Sequence, residues 1–126
     1  ASVRKYEAAG VEVWTRQFGT AGDDTATSVS VGSDGSVLVA GYTGWTGGTL
    51  PGQSSAGGQD AFVRKYDAAG AEVWTRQFGT ASTDQAQSVS VGSDGSVLVA
   101  GWTDGTLAGQ SSAGGRDAFV RKLAEP

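Results

Sequence analysis

Carboxylates are the residues of this chain best equipped for chemistry, among them Asp23, Asp24, Asp34, Asp60, Asp84, Asp94, Asp104 and Asp117. Paired carboxylates can move protons or hold a hard cation such as Ca²⁺ with loop carbonyls. Neither pattern is complete here. Asp23 and Asp24 stand together, but the matching stretch later in the chain reads Ser82-Thr83-Asp84, so one carboxylate is lost. No nucleophile recurs beside an acid–base pair. The chain has no Cys and no His, which removes disulfides, thiol chemistry, zinc sites built on those ligands and a Ser-His-Asp triad.

Structural work is the expectation for most of these acids. Asp34 and Asp94 precede glycine in Asp-Gly turns, and Asp60 and Asp117 follow glycine-rich loops, where aspartate closes turns. Asp24 and Asp84 precede a strand, where a carboxylate accepts backbone hydrogen bonds. These two, with Trp45, are the candidate ligand contacts. Trp45 lies in the Gly/Ser/Thr-rich loop Thr43–Gln59. It could stack on a sugar ring, but covering the protein's own edge is the expected role. No catalytic residue, metal or cofactor is expected, and the chain reads as a non-enzyme.

Thirteen acidic and nine basic residues leave a net charge of −4 over 126 residues. The basic residues come as Arg4-Lys5, Arg64-Lys65 and Arg121-Lys122 beside acidic neighbours, which argues against a nucleic-acid partner. No apolar run approaches the roughly 18 residues a membrane helix needs, so no membrane partner is expected. No signal-peptide pattern opens the chain. The absence of Met predicts a processed or trimmed chain, or a segment of a longer one.

What must position these residues is a repeat. "VRKYEAAGVEVWTRQFGT" at Val3–Thr20 returns as "VRKYDAAGAEVWTRQFGT" at Val63–Thr80, a period of sixty. "DTATSVSVGSDGSVLVAG" at Asp24–Gly41 returns as "DQAQSVSVGSDGSVLVAG" at Asp84–Gly101. "GQSSAGGQDAFVRK" at Gly52–Lys65 returns as "GQSSAGGRDAFVRK" at Gly109–Lys122, fifty-seven residues on, because the second copy lacks an insert at Gly44-Trp45-Thr46. Such near-identity reads as recent duplication or deliberate engineering.

Each unit predicts four strands: Ala26–Ser33, Ser36–Thr43, Asp60–Tyr66 and Glu72–Gly79. Val29 and Val31 are two apart, the strand period. "SVLVAGYT" is apolar on both faces, as a strand held between two layers should be. Asp34-Gly35 signals a hairpin, and Gly70 suits the hairpin at Asp67–Gly70. A helix across "YDAAGAEVWTRQF" competes, but mid-segment Gly70 and the β-branched and aromatic residues after it favour strands. Trp14 and Trp74, and Phe18 with Phe78, are expected in equivalent, largely buried places.

Four-stranded antiparallel units at this period point to all-β propeller blades. "DAFVRKYDAAGAEVWTRQFGT" followed by "DQAQSVSVGSDGSVLVAGWT" resembles the SBBP repeat, a bacterial β-propeller repeat. The residues that carry the resemblance are Asp60, Ala61, Phe62, Val63, Gly70, Trp74, Asp84, Ala86, Gly95, Val97, Val99 and Gly101. The earlier copy matches at Gly10, Trp14, Asp24, Ala26, Gly35, Val37, Val39 and Gly41. It departs at Ser36 and Leu38, where the family usually has Asn and an aromatic residue. The resemblance implies a fold and little about activity. For a natural chain it fits a bacterial secreted or cell-surface setting.

One repeat domain is expected over 1–126: an outer half-blade at 1–20, a complete blade at 24–79, and the inner strands of a closing blade plus a partial repeat at 84–123. Two blades alone would bare apolar faces. Hence the expectation is a homotrimer or homotetramer whose copies close a propeller ring, a non-catalytic scaffold or interaction module. A fragment of a longer propeller and a lectin-like or peptide-binding module are the alternatives. "VRK" at 3–5 and at 120–122 compete for one third-strand place, so one of them is expected to be displaced or disordered, or the pair to be a scar of where the repeat was cut.

Overall fold

The computed structural model describes residues 1–45 and 48–124. Nine strands run in chain order: β1 (Ser2–Tyr6), β2 (Glu12–Gln17), β3 (Thr25–Val31), β4 (Val37–Tyr42), β5 (Ala61–Tyr66), β6 (Glu72–Phe78), β7 (Asp84–Val91), β8 (Val97–Thr103) and β9 (Asp117–Leu123). They form three antiparallel sheets in sequence order: β1-β2, β3-β4-β5-β6 and β7-β8-β9. Among the described residues there is no helix, so the chain is all-β and the helical alternative across Tyr66–Phe78 fails. Gly70, at φ 88°, ends a turn closed by its own N–H on the Asp67 carbonyl. The chain then reverses into β6.

The β3–β4 turn is built by Gly32-Ser33-Asp34-Gly35. Gly35 N–H donates to the Gly32 carbonyl at 3.0 Å, and Gly35 has φ 83°. A side chain at that φ is strained. Asp34 Oδ1 accepts from Ser36 N at 2.9 Å and Ser36 Oγ at 2.6 Å. Gly95 and Asp94 repeat this geometry between β7 and β8.

The sheets stack face to face, and their core lies in two layers. Trp14, Val37, Val39, Leu50, Phe62 and Tyr66 fill the space between the two-stranded and four-stranded sheets. Leu38, Ala40, Val63 and Trp74 fill the next with Val89, Val97 and Val99 of the three-stranded sheet. Alternation along β4 sends Val37 and Val39 to one layer and Leu38 and Ala40 to the other, which is why this strand is apolar throughout. Trp14 and Trp74 occupy equivalent places, each 6% exposed. Phe18 and Phe78 also match each other but are only half-buried, because each packs edge-on at the rim against Phe62 or Phe119.

The rivalry between the two "VRK" segments takes a different form within one chain. Both are ordered strands, β1 beside β2 and β9 beside β8. Neither is displaced, since each has its own sheet edge to pair with. Asp84 and Asp117 also open their strands rather than preceding them, because Asp84 and Thr103, and Thr103 and Asp117, are ladder partners.

Candidate functional site

Asp84 sits at the mouth of β7, fully buried. Its Oδ2 accepts from Thr80 N at 2.6 Å, and its Oδ1 accepts from the Thr103 hydroxyl. Asp60, at the mouth of β5, is fully buried too, and its Oδ2 accepts from Ala56 N at 2.8 Å and Gln77 Nε2 at 2.9 Å. Its Oδ1 has no hydrogen-bond partner, the one such buried side-chain atom among the described residues. The two carboxylates converge over Gly79. A Cβ there would lie 2.5 Å from Asp84 Oδ2 and 2.8 Å from Asp60 Oδ1, so glycine is what leaves room for them.

Burial pushes the Asp84 carboxyl up, against hydrogen bonds from Thr103 and Thr80, with the Asp60 charge adding to the rise. Asp34 and Asp94, both exposed, are held below the usual carboxylate range, first by the Ser36 and Ser96 hydroxyls.

Asp24 repeats half of this arrangement. It accepts from Thr20 N at 2.6 Å and from Thr20 Oγ1 at 3.0 Å, with no carboxylate opposite it, and it is half-buried. Asp23 is exposed. Among the described residues no group of three or more acids could hold a metal ion. Trp45 is 70% exposed, so it is not the buried edge cover that the sequence suggested. Thr46, beside it in the insert, lies outside the described residues. The three sequence candidates therefore do not meet in one place: Asp84 joins Asp60, Asp24 serves the matching loop sixty residues earlier, and Trp45 stands apart.

The residue that sequence reasoning missed is Gln77. It ties the rim strand β6 to the loop between β4 and β5. Leu50 N–H donates to Gln77 Oε1, Gln77 N–H donates to Gln53 Oε1, and Gln77 Nε2 donates to the Gly48 carbonyl, each at 2.9 Å. Its repetition inside "WTRQFGT" was the available signal, as was the constant Thr-to-Asp spacing at Thr20/Asp24 and Thr80/Asp84.

The other feature is what the outer sheets leave bare. Leu98 is 42% exposed and Val120 74%, whereas their counterparts Leu38 and Val63 are at 1% and 0%. On the opposite end Tyr6 is 55% exposed, against 3% for Tyr66.

A stack of antiparallel sheets repeating every sixty residues is the build of a propeller, and residues 73–107 match the SBBP family, a β-propeller repeat. The chain thus carries an SBBP-type repeat. It is 34% identical over 128 residues to the regulatory protein FlaEY of Caulobacter vibrioides. That alignment takes in 95% of this chain and 13% of the relative, so the chain spans a small part of the relative's length.

Proposed function

We propose that the chain is a non-catalytic β-propeller module that assembles with further copies of itself, three or four closing a ring. The observation that carries this is the match between its bare faces and its covered ones. Sheet β3-β4-β5-β6 is capped on both sides, and the residues that meet one of those caps recur at the C-terminal end of the chain. Leu98, Ala100, Ala118 and Val120 correspond to Leu38, Ala40, Ala61 and Val63, all buried. The β7-β8-β9 end therefore wants the neighbour that the middle sheet already has. At roughly 25 cal/mol per Å², a few hundred Å² of apolar surface per face offers several kcal/mol of association. The regulatory designation of FlaEY supports a role without catalysis.

Light scattering on the purified chain tests the reading: a mass of three or four copies is expected, and a folded monomer at micromolar concentration sinks it. A disulfide probe is available because the chain has no Cys. Val63 and Arg76 are ladder partners, so Val120→Cys with Arg16→Cys should cross-link one copy to the next.

A further inference from the structure

Resting on that self-assembly, the geometry points to Gln17 as the residue that keys one copy into the next. We infer that its amide enters a socket formed by Gly105, Leu107, Gln110 and Asp117 of a second copy.

The middle of the chain holds the finished version of this contact. The Gln77 side chain is gripped by Leu50 N, the Gly48 carbonyl and Asp60 Oδ2, and its main-chain N–H by Gln53 Oε1. All four grips recur fifty-seven residues later as Leu107, Gln110, Gly105 and Asp117. Their loop is already shaped. Gln110 N–H donates to the Leu107 carbonyl at 3.0 Å, as Gln53 N–H does to the Leu50 carbonyl. Ala113 N–H donates to Asp117 Oδ2 at 2.9 Å, as Ala56 N–H does to Asp60 Oδ2. Among the described residues no glutamine fills this second loop, because no strand lies beyond β9 in its sheet. A hollow of about 440 Å³ stands there instead, lined in part by Leu107, Gln110, Asp117 and Phe119.

The missing glutamine exists at the other end of the chain. Gln17 is the counterpart of Gln77, sixty residues earlier, and it ends β2 as Gln77 sits near the end of β6. It is exposed, and its amide has no hydrogen-bond partner among the described residues. A copy cannot fill its own socket, since its β1-β2 sheet lies across the middle sheet from β9. A second copy can, by laying β2 beside β9 as β6 lies beside β5. Strand β9 keeps the third place against the incoming β1, because Phe119 packs edge-on against Phe78 at 5.8 Å where β1 offers only Ser2.

The test is sedimentation velocity over a dilution series with the wild type, Gln17→Ala and Gln17→Glu. Because Gln17 is exposed, both variants should keep the wild-type circular dichroism spectrum. The loss of about two or three hydrogen bonds should weaken assembly at least tenfold in Gln17→Ala. Gln17→Glu should weaken it further, since a carboxylate would face Asp117 and the Gly105 carbonyl with no donor. Wild-type assembly in both variants overturns the key and leaves the ring standing; a monomeric wild type overturns the ring and the key with it.

Discussion

Asp60 and Asp84 show how much a single position decides. Asp60 precedes β5 and Asp84 opens β7, yet both carboxylates are buried and face each other over Gly79, with no cation among the groups that act on Asp84. Burying like charges together penalises the ionised form. The sign follows from the raised Asp84 value. The folded state binds a proton more tightly than the unfolded one, so the penalty is fully present above the folded value. Stability is regained as pH falls through it toward the ordinary 3.8. Asp34 and Asp94 act oppositely, and what they contribute is lost only as pH falls below the usual carboxylate range. Melting temperature should therefore rise on mild acidification before it collapses in acid. Asp60→Asn removes one charge and can turn an amide donor toward Asp84 Oδ2. That variant should melt higher than the wild type at neutral pH and show a smaller mild-acid rise, because burial of Asp84 remains; thermal melts by circular dichroism between pH 8 and pH 4 read both effects. An unchanged profile in Asp60→Asn would count against coupling between the two acids.

At the scale of elements, hairpins set the sheets. The β3–β4 and β7–β8 turns are the same Gly-Ser-Asp-Gly loop, and the closing glycine sits at φ 83° in each. Gly35→Val would force a β-branched residue into that region and should destabilise the protein by roughly 1 kcal/mol or more. Chemical denaturation checks it. The same change at Gly44, whose φ is not in the left-handed region, would act by contact with Asp23 rather than by backbone strain, so the two substitutions separate the causes. Sheets are joined by more than apolar contact. Trp14 Nε1 donates to the Ala68 carbonyl at 3.1 Å and Arg16 Nε to the Gly70 carbonyl at 2.7 Å, which fixes β2 over the β5–β6 hairpin.

At the scale of the molecule, the stack has two unlike ends, and unlike ends favour head-to-tail association, which closes a ring when the rotation per copy permits. Deleting residues 1–20 removes β1, β2 and Gln17 together. That variant should form no closed assembly and should aggregate through the uncovered middle sheet. Deleting residues 1–6 alone takes away only the strand that competes with β9, and assembly should persist. Size-exclusion chromatography with in-line light scattering distinguishes the two, and equal behaviour of both deletions would remove β2 from the interface.

The strands and turns were legible from local chemistry. Period-two valines, Asp-Gly and Gly70 act within a few residues of themselves, so β3, β4 and β6 could be placed within one or two residues of where they lie. The repeat itself predicted that Trp14 and Trp74 would share one environment, because equal sequence on equal scaffolding meets equal neighbours. What the sequence left open depended on distance across the fold. Asp60 and Asp84 are spaced twenty-four residues apart, and only the stacking of two sheets brings their oxygens over Gly79. Gln77 looked like any polar strand residue until the β4–β5 loop folded back onto it. Trp45 looked like a cover because large aromatic side chains are usually buried; it lies in an insert that the second copy lacks, and it is 70% exposed.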